Sequence, residues 1–99
     1  MLTTIDYINR LQRIIIVHSY LYYELDDSII SDSEYDAKAR KLVEYKNEYP
    51  KLWTESMYYN QFGDDYDGST GFSLYDKLDD GQKEIIRLIA SYRKWQIYI

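Results

Sequence analysis

The sequence predicts an all-α fold: a small helical bundle made of an antiparallel helical hairpin and a C-terminal helix. Three observations carry the prediction. Apolar residues recur at spacings of three and four in separate stretches, the repeat of one helical face. A residue suited to capping stands at the head of each stretch. Pro50 and a segment rich in Gly and Asp interrupt the pattern where helices have to end.

The first helix is expected from about Ile5 to Leu25. Ile8, Leu11, Ile15, His18, Tyr22 and Leu25 form its apolar face, widened by Ile5, Ile14 and Leu21. Thr3 or Thr4 is placed to cap it, and Asp6 suits the positive end of the helix dipole. The β-branched run Ile14–Val17 favours a strand locally, but the longer helical period overrides it. Asp26 to Ile30 is a short connection. Ser31 and Glu34 then fit a capping box for a second helix over Asp32–Glu48. Tyr35, Ala39, Leu42, Tyr45 and Tyr49 mark its inner face, and Pro50 ends it. Two helices joined so briefly make an antiparallel hairpin.

The rest is less regular. A helical turn is expected around Trp53, within Lys51–Asn60. Gly63 to Gly71 reads as a loop with little to bury. The last helix runs from about Gly81 to Ile97, capped by Asp79 or Asp80. Ile85, Leu88, Ile89, Tyr92, Trp95 and Ile99 form its expected apolar stripe. The organisation is one domain over residues 1–99: hairpin (1–52), irregular acidic connection (53–80) and final helix (81–99).

Composition excludes several functions. With 99 residues and no cysteine, there is no thiolate metal site, disulfide scaffold or cysteine nucleophile. The single histidine argues against His-rich metal centres, and no metal is expected. A net charge of −5 argues against direct nucleic-acid binding, which needs Lys and Arg. No apolar stretch approaches the roughly 20 residues of a membrane span, and no secretory leader is legible. A cytoplasmic location without membrane contact follows as the expectation. Thirteen tyrosines supply either binding surface or a core that has only two phenylalanines.

One constellation carries chemistry. Asp32, Tyr35 and Asp36 stand at i, i+3 and i+4, on one helical face. Tyr22 and Tyr23 end the preceding helix, so the hairpin brings both groups to the same end. Aromatic faces stack on flat cationic rings. Carboxylates accept hydrogen bonds from hydroxyl and amide groups. A helix N-terminus attracts phosphate. Together these suit a nicotinamide mononucleotide unit. The structural alternative is a Tyr-rich hairpin packing on itself, with Asp32 and Asp36 acting as helix-start charges.

The stretch Tyr20-Leu21-Tyr22-Tyr23-Glu24-Leu25-Asp26-Asp27-Ser28-Ile29-Ile30-Ser31-Asp32-Ser33-Glu34-Tyr35-Asp36, with Glu48-Tyr49-Pro50-Lys51-Leu52 after it, resembles the N-terminal Ia domain of bacterial NAD-dependent DNA ligases. The resemblance covers about Leu2 to Leu52 without gaps. It implies a helical hairpin that closes over NAD and holds its nicotinamide mononucleotide half. Tyr22 and Tyr35 would stack on nicotinamide, and Asp32 and Asp36 would hold its amide and ribose. Tyr23, at a position that is His or Tyr in the family, would lie near the phosphate. In the family, closure orients pyrophosphate as a leaving group for attack by a lysine of the next domain.

The departures are equally specific. These residues hold no nucleotidyltransferase domain, OB-fold, zinc finger or helix-hairpin-helix module. Thr54–Gly63 keeps only faint echoes of the family's continuation. Lys77-Leu78-Asp79-Asp80-Gly81 has one residue too many for the adenylated Lys-x-Asp-Gly motif. The expectation is therefore a non-enzymatic module that binds nicotinamide mononucleotide or NAD, or acts in trans on a ligase. The resemblance also extends to small stand-alone phage proteins, which implies a phage or prophage source and a host bacterial cytoplasm.

Other signals are weaker. His18 reads as a core histidine on the apolar seam. Asp65-Tyr66-Asp67-Gly68 resembles a calcium loop, but Gly63 and Leu74 would occupy its first and last ligand positions. Ser19, Ser33 and Ser73 lack a neighbouring base. The alternative function is inhibition of a host DNA-acting or defence enzyme, of anti-restriction or anti-CRISPR type. There an acidic patch of Asp64, Asp65, Asp67, Asp76, Asp79 and Asp80 would meet a basic surface on the host protein.

Overall fold

The computed structural model describes residues 2–26, 30–69 and 73–97, with side chains described up to Tyr92. Helix α1 spans Thr4–Ser19 and runs directly into a π-helical turn, Tyr20–Glu24. Helices α2 (Asp32–Glu48), α3 (Pro50–Glu55) and α4 (Tyr59–Phe62) follow. The centre of the expected connection before α2, residues 27–29, lies outside the described residues. A 3₁₀ turn over Tyr75–Lys77 precedes α5, Asp80–Ile97. The fold is all-α, as expected. It has two short helices where the sequence suggested one turn near Trp53.

The capping signals act as local chemistry requires. The Thr3 hydroxyl accepts from the Asp6 N–H, while the Asp6 carboxylate accepts from the Thr3 N–H at 2.9 Å. That pairing satisfies two backbone donors that the first helical turn leaves open. It also holds the Asp6 carboxyl below the usual carboxylate range. Ser31 accepts from the Glu34 N–H at 3.1 Å to start α2. Asp79 accepts from the Gln82 N–H at 2.7 Å, and the Gln82 side chain accepts from the Asp79 N–H at 3.0 Å. Asp79 is thus the cap of α5. Pro50 opens α3, where its missing N–H costs nothing.

Helix α1 lies at the centre, in contact with α2, α3 and α5. It is therefore buried on more than the single expected face. Ile8, Ile15, Ile16, Val17 and Leu21 are buried, and so are Gln12 and Ser19. Gln12 is tolerated because both ends of its amide are bonded. Its nitrogen donates to Ser56 Oγ at 2.8 Å, and its oxygen accepts from the Tyr58 N–H at 3.1 Å. Asn9 likewise accepts from the Met57 N–H at 2.8 Å. Side chains of α1 thereby satisfy the turn between α3 and α4.

Three expectations need correction. Tyr22 and Leu25, expected on the apolar face of the first helix, are 49% and 45% exposed, whereas Leu21 is fully buried. The π turn closes on i→i+5 hydrogen bonds and so breaks the α-helical register. On α5, Ile85, Leu88 and Tyr92 are exposed, while Ile86 and Ala90 are buried and Ile89 packs against the core. The buried stripe is rotated by one residue from the expected one. The Trp95 side chain and Ile99 lie outside the described residues.

The third concerns burial in the Gly63–Gly71 segment, which is a loop as expected over its described part, residues 63–69. Tyr66 is 7% exposed. It stacks on Trp53 at 6.2 Å between ring centres and meets Phe62 edge-on at 4.7 Å. Trp53 is itself buried, and its indole N–H donates to the Gly63 carbonyl at 3.0 Å. Edge-on and stacked aromatic pairs of this kind each add about 0.5–1.5 kcal/mol beyond the area they bury.

Candidate functional site

The hairpin brings the end of α1, the π turn and the first turn of α2 together around a cleft of about 260 Å³. Tyr22, Tyr23, Asp32, Tyr35 and Asp36 all line it. The five residues singled out in the sequence therefore meet at one place. His18, Ser19, Ile30, Gly68 and Ser69 are the other described residues that line it.

Each side chain arrives for a local reason. In an α-helix, successive residues diverge by about 100°, which would separate Tyr22 from Tyr23. Both nevertheless line the cleft from the π turn, with ring centres 4.7 Å apart and planes at 77°. Each is about half exposed, at 49% and 51%, so aromatic surface is available to a ligand. Asp32 is the first residue of α2, and Asp36 follows one turn later. Both are exposed, and helix-start carboxylates are stabilised by the dipole.

Tyr35 is the best-anchored residue of the set. Its hydroxyl and that of Ser19, on the last turn of α1, lie 2.9 Å apart in a hydrogen bond. Burial raises the Tyr35 phenol above its ordinary value. The bond to Ser19 works in the opposite direction, and the nearby Tyr23 and Asp36 charges raise it further. The phenol is accordingly neutral near pH 7, and its ring is held between the two helices of the hairpin.

Among the described residues, the lining holds two carboxylates and no Lys or Arg. It suits a flat, cationic or donor-rich group between aromatic rings. The cleft falls just short of the roughly 300–1,000 Å³ usual for small-molecule sites.

The sequence places His18 in the core. The structure makes it 5% exposed and also a member of the lining. His18 and Ser19 lie four residues before Tyr22 and Tyr23, so following the same helix back one turn would have found them. Gly68 and Ser69 had no such signal, because they fold back from beyond the hairpin.

The six acidic residues considered as a partner patch are exposed. Asp64, Asp65 and Asp67 follow α4, Asp76 lies in the 3₁₀ turn, and Asp79 and Asp80 start α5. Three of them act within the chain. Asp64 accepts from the Tyr59 hydroxyl at 2.7 Å, Asp67 from the Ser69 N–H at 2.9 Å, and Asp79 caps α5. Among the described residues, no group of three or more His, Cys, Asp or Glu is placed to hold a metal ion. No described helix is long and apolar enough to cross a membrane.

Comparison with known proteins bears on the N-terminal half of the chain. The family model for the DNA ligase-like, N-terminal NAD+-binding domain matches residues 2–56, more than half of the chain. A DNA ligase of Psychrobacter cryohalolentis is 49% identical over 47 residues, 48% of this chain. A DNA ligase of Thermotoga maritima is 44% identical over 50 residues, and one of Lawsonia intracellularis 45% over 49, each 50% of this chain. In each case the matched stretch is 7% of the relative's length. No solved structure matches the chain.

Proposed function

The chain belongs to the family of DNA ligase-like, N-terminal NAD+-binding domains, and on that premise we propose that it is a non-catalytic module that binds the nicotinamide mononucleotide half of NAD. The observation that supports this most directly is the convergence of Tyr22, Tyr23, Asp32, Tyr35 and Asp36 on one cleft. Tyr22 and Tyr35 offer faces for the pyridinium ring. Asp32 and Asp36 accept from carboxamide and ribose donors. Tyr23 and the N-terminal end of α2 are assigned to the phosphate, which a helix N-terminus attracts. NAD supplies hydride or adenylyl-transfer chemistry elsewhere. The role of the cleft residues is to bind and orient the nucleotide.

The functional unit proposed is the whole chain as one domain, because the core cluster draws on α1 through α5. The module works alone as a nucleotide binder or in trans with a ligase nucleotidyltransferase domain, in the cytoplasm of its bacterial host. Inhibition of a host enzyme through the acidic residues has less support, since Asp64, Asp67 and Asp79 are engaged within the chain.

Calorimetric titration with nicotinamide mononucleotide, NAD and adenosine monophosphate tests the reading. Saturable binding of the first two and not the third is expected, with loss in Tyr35→Ala and Asp32→Ala. Absence of binding at millimolar ligand would overturn it.

A further inference from the structure

The family match ends at residue 56, yet the cleft has two lining residues beyond it, Gly68 and Ser69. The loop that carries them is clamped at several points. Tyr66 is buried against Trp53 and Phe62. Lys46 of α2 donates to the Tyr66 carbonyl at 3.0 Å. Gly68 has φ +83°, and a β-carbon there would meet Val43 Cγ2 at 3.4 Å and Ala39 Cβ at 3.6 Å. Glycine therefore lets the loop lie against α2 in a left-handed conformation that other residues adopt at a cost.

Ser69 is held next in turn. The Asp67 carboxylate accepts from both its N–H and its hydroxyl, at 2.9 and 2.5 Å. With its proton given to Asp67, the Ser69 hydroxyl retains only acceptor capacity. It is also exposed, so it is available to a partner other than the protein.

We propose that Ser69 is a ligand-binding residue of the cleft, on a wall that the family-matched segment does not supply, where it accepts a hydrogen bond from a ribose hydroxyl or carboxamide N–H of the nucleotide. The inference rests on the nucleotide reading given above. It gives the acidic connection a definite role, since the chain completes its own binding site by folding this loop onto α2. A wall anchored before the ligand arrives lowers the ordering cost of binding.

The test measures nicotinamide mononucleotide affinity calorimetrically in the full chain, for wild type, Ser69→Ala, Ser69→Trp and Tyr35→Ala, with thermal unfolding as a control. Ser69 is exposed, so unchanged unfolding is expected for both Ser69 variants. Ser69→Ala should weaken binding about 2- to 12-fold, the range for one hydrogen bond, and Ser69→Trp should abolish it by filling the cleft. Loss in Ser69→Trp with unchanged affinity in Ser69→Ala would retain the wall and overturn the hydrogen bond. Near-wild-type affinity in both, beside loss in Tyr35→Ala, would overturn the inference and leave the nucleotide reading intact. No binding by wild type would remove both.

Discussion

The Ser19–Tyr35 hydrogen bond ties the two helices of the hairpin together at the floor of the cleft. Its contribution can be isolated by a double-mutant cycle. Ser19 is 2% exposed, and the hydroxyl–hydroxyl distance is 2.9 Å. Ser19→Ala removes one partner and leaves the Tyr35 hydroxyl to find water at the cleft. Tyr35→Phe leaves the Ser19 hydroxyl buried, able to turn to the carbonyl one helical turn back. Each single change should cost about 1 kcal/mol, because a net hydrogen bond contributes about 0.5–1.5 kcal/mol. The double variant removes both partners and should cost little more than either single one, a coupling of about 1 kcal/mol. For a domain of this size that corresponds to a Tm change of about 4–8 °C. Thermal and urea unfolding followed by circular dichroism read these differences. Losses that simply add in the double variant, or single variants that melt like wild type, would refute the assignment of Tyr35's position to Ser19. Tyr35→Phe should also retain most nucleotide affinity, because the stacking ring remains.

Two further outcomes follow from burial. Ile86 is fully buried whereas Leu88 is 64% exposed, so Ile86→Ala should cost about 2–5 kcal/mol and Leu88→Lys less than about 0.5 kcal/mol in urea unfolding. The reverse order would restore the stripe expected from sequence. Burial also pushes the Tyr66 phenol well above its ordinary value, with the Tyr35 and Asp67 charges acting in the same direction. In the unfolded chain that phenol ionises near pH 10, so its contribution is whole below about pH 10 and is lost as pH rises toward the folded-state pKa. Tyr66→Phe should retain more of its neutral-pH stability above pH 10 than wild type does. An unchanged alkaline limb would count against a buried, neutral Tyr66.

Much of the fold is readable from the sequence because its signals are local. Thr3, Ser31 and Asp79 cap the helices they precede through bonds to residues three positions away. Pro50 cannot continue α2 whatever surrounds it. The candidate site is legible for a related reason. Asp32, Tyr35 and Asp36 share a helical face by spacing alone, and a short connection returns that face to Tyr22 and Tyr23.

The remaining features depend on contacts distant in sequence. Helical periodicity gives the width of an apolar stripe but not the direction from which neighbours cover it. It does not show that α1 is central enough to bury Gln12, or that α5 turns Ile86 and Ala90 inward in place of Ile85 and Leu88. The π turn is a departure from regular hydrogen bonding with no residue signature of its own. The acidic loop reads as solvated because its glycines and aspartates are polar and flexible on average. It is instead pinned by one tyrosine among the Trp53 and Phe62 rings and by one glycine against α2. Local chemistry therefore specified the helices and five residues of the cleft. Burial, register and the wall bearing Ser69 came from packing, because they depend on which distant surfaces exclude water together.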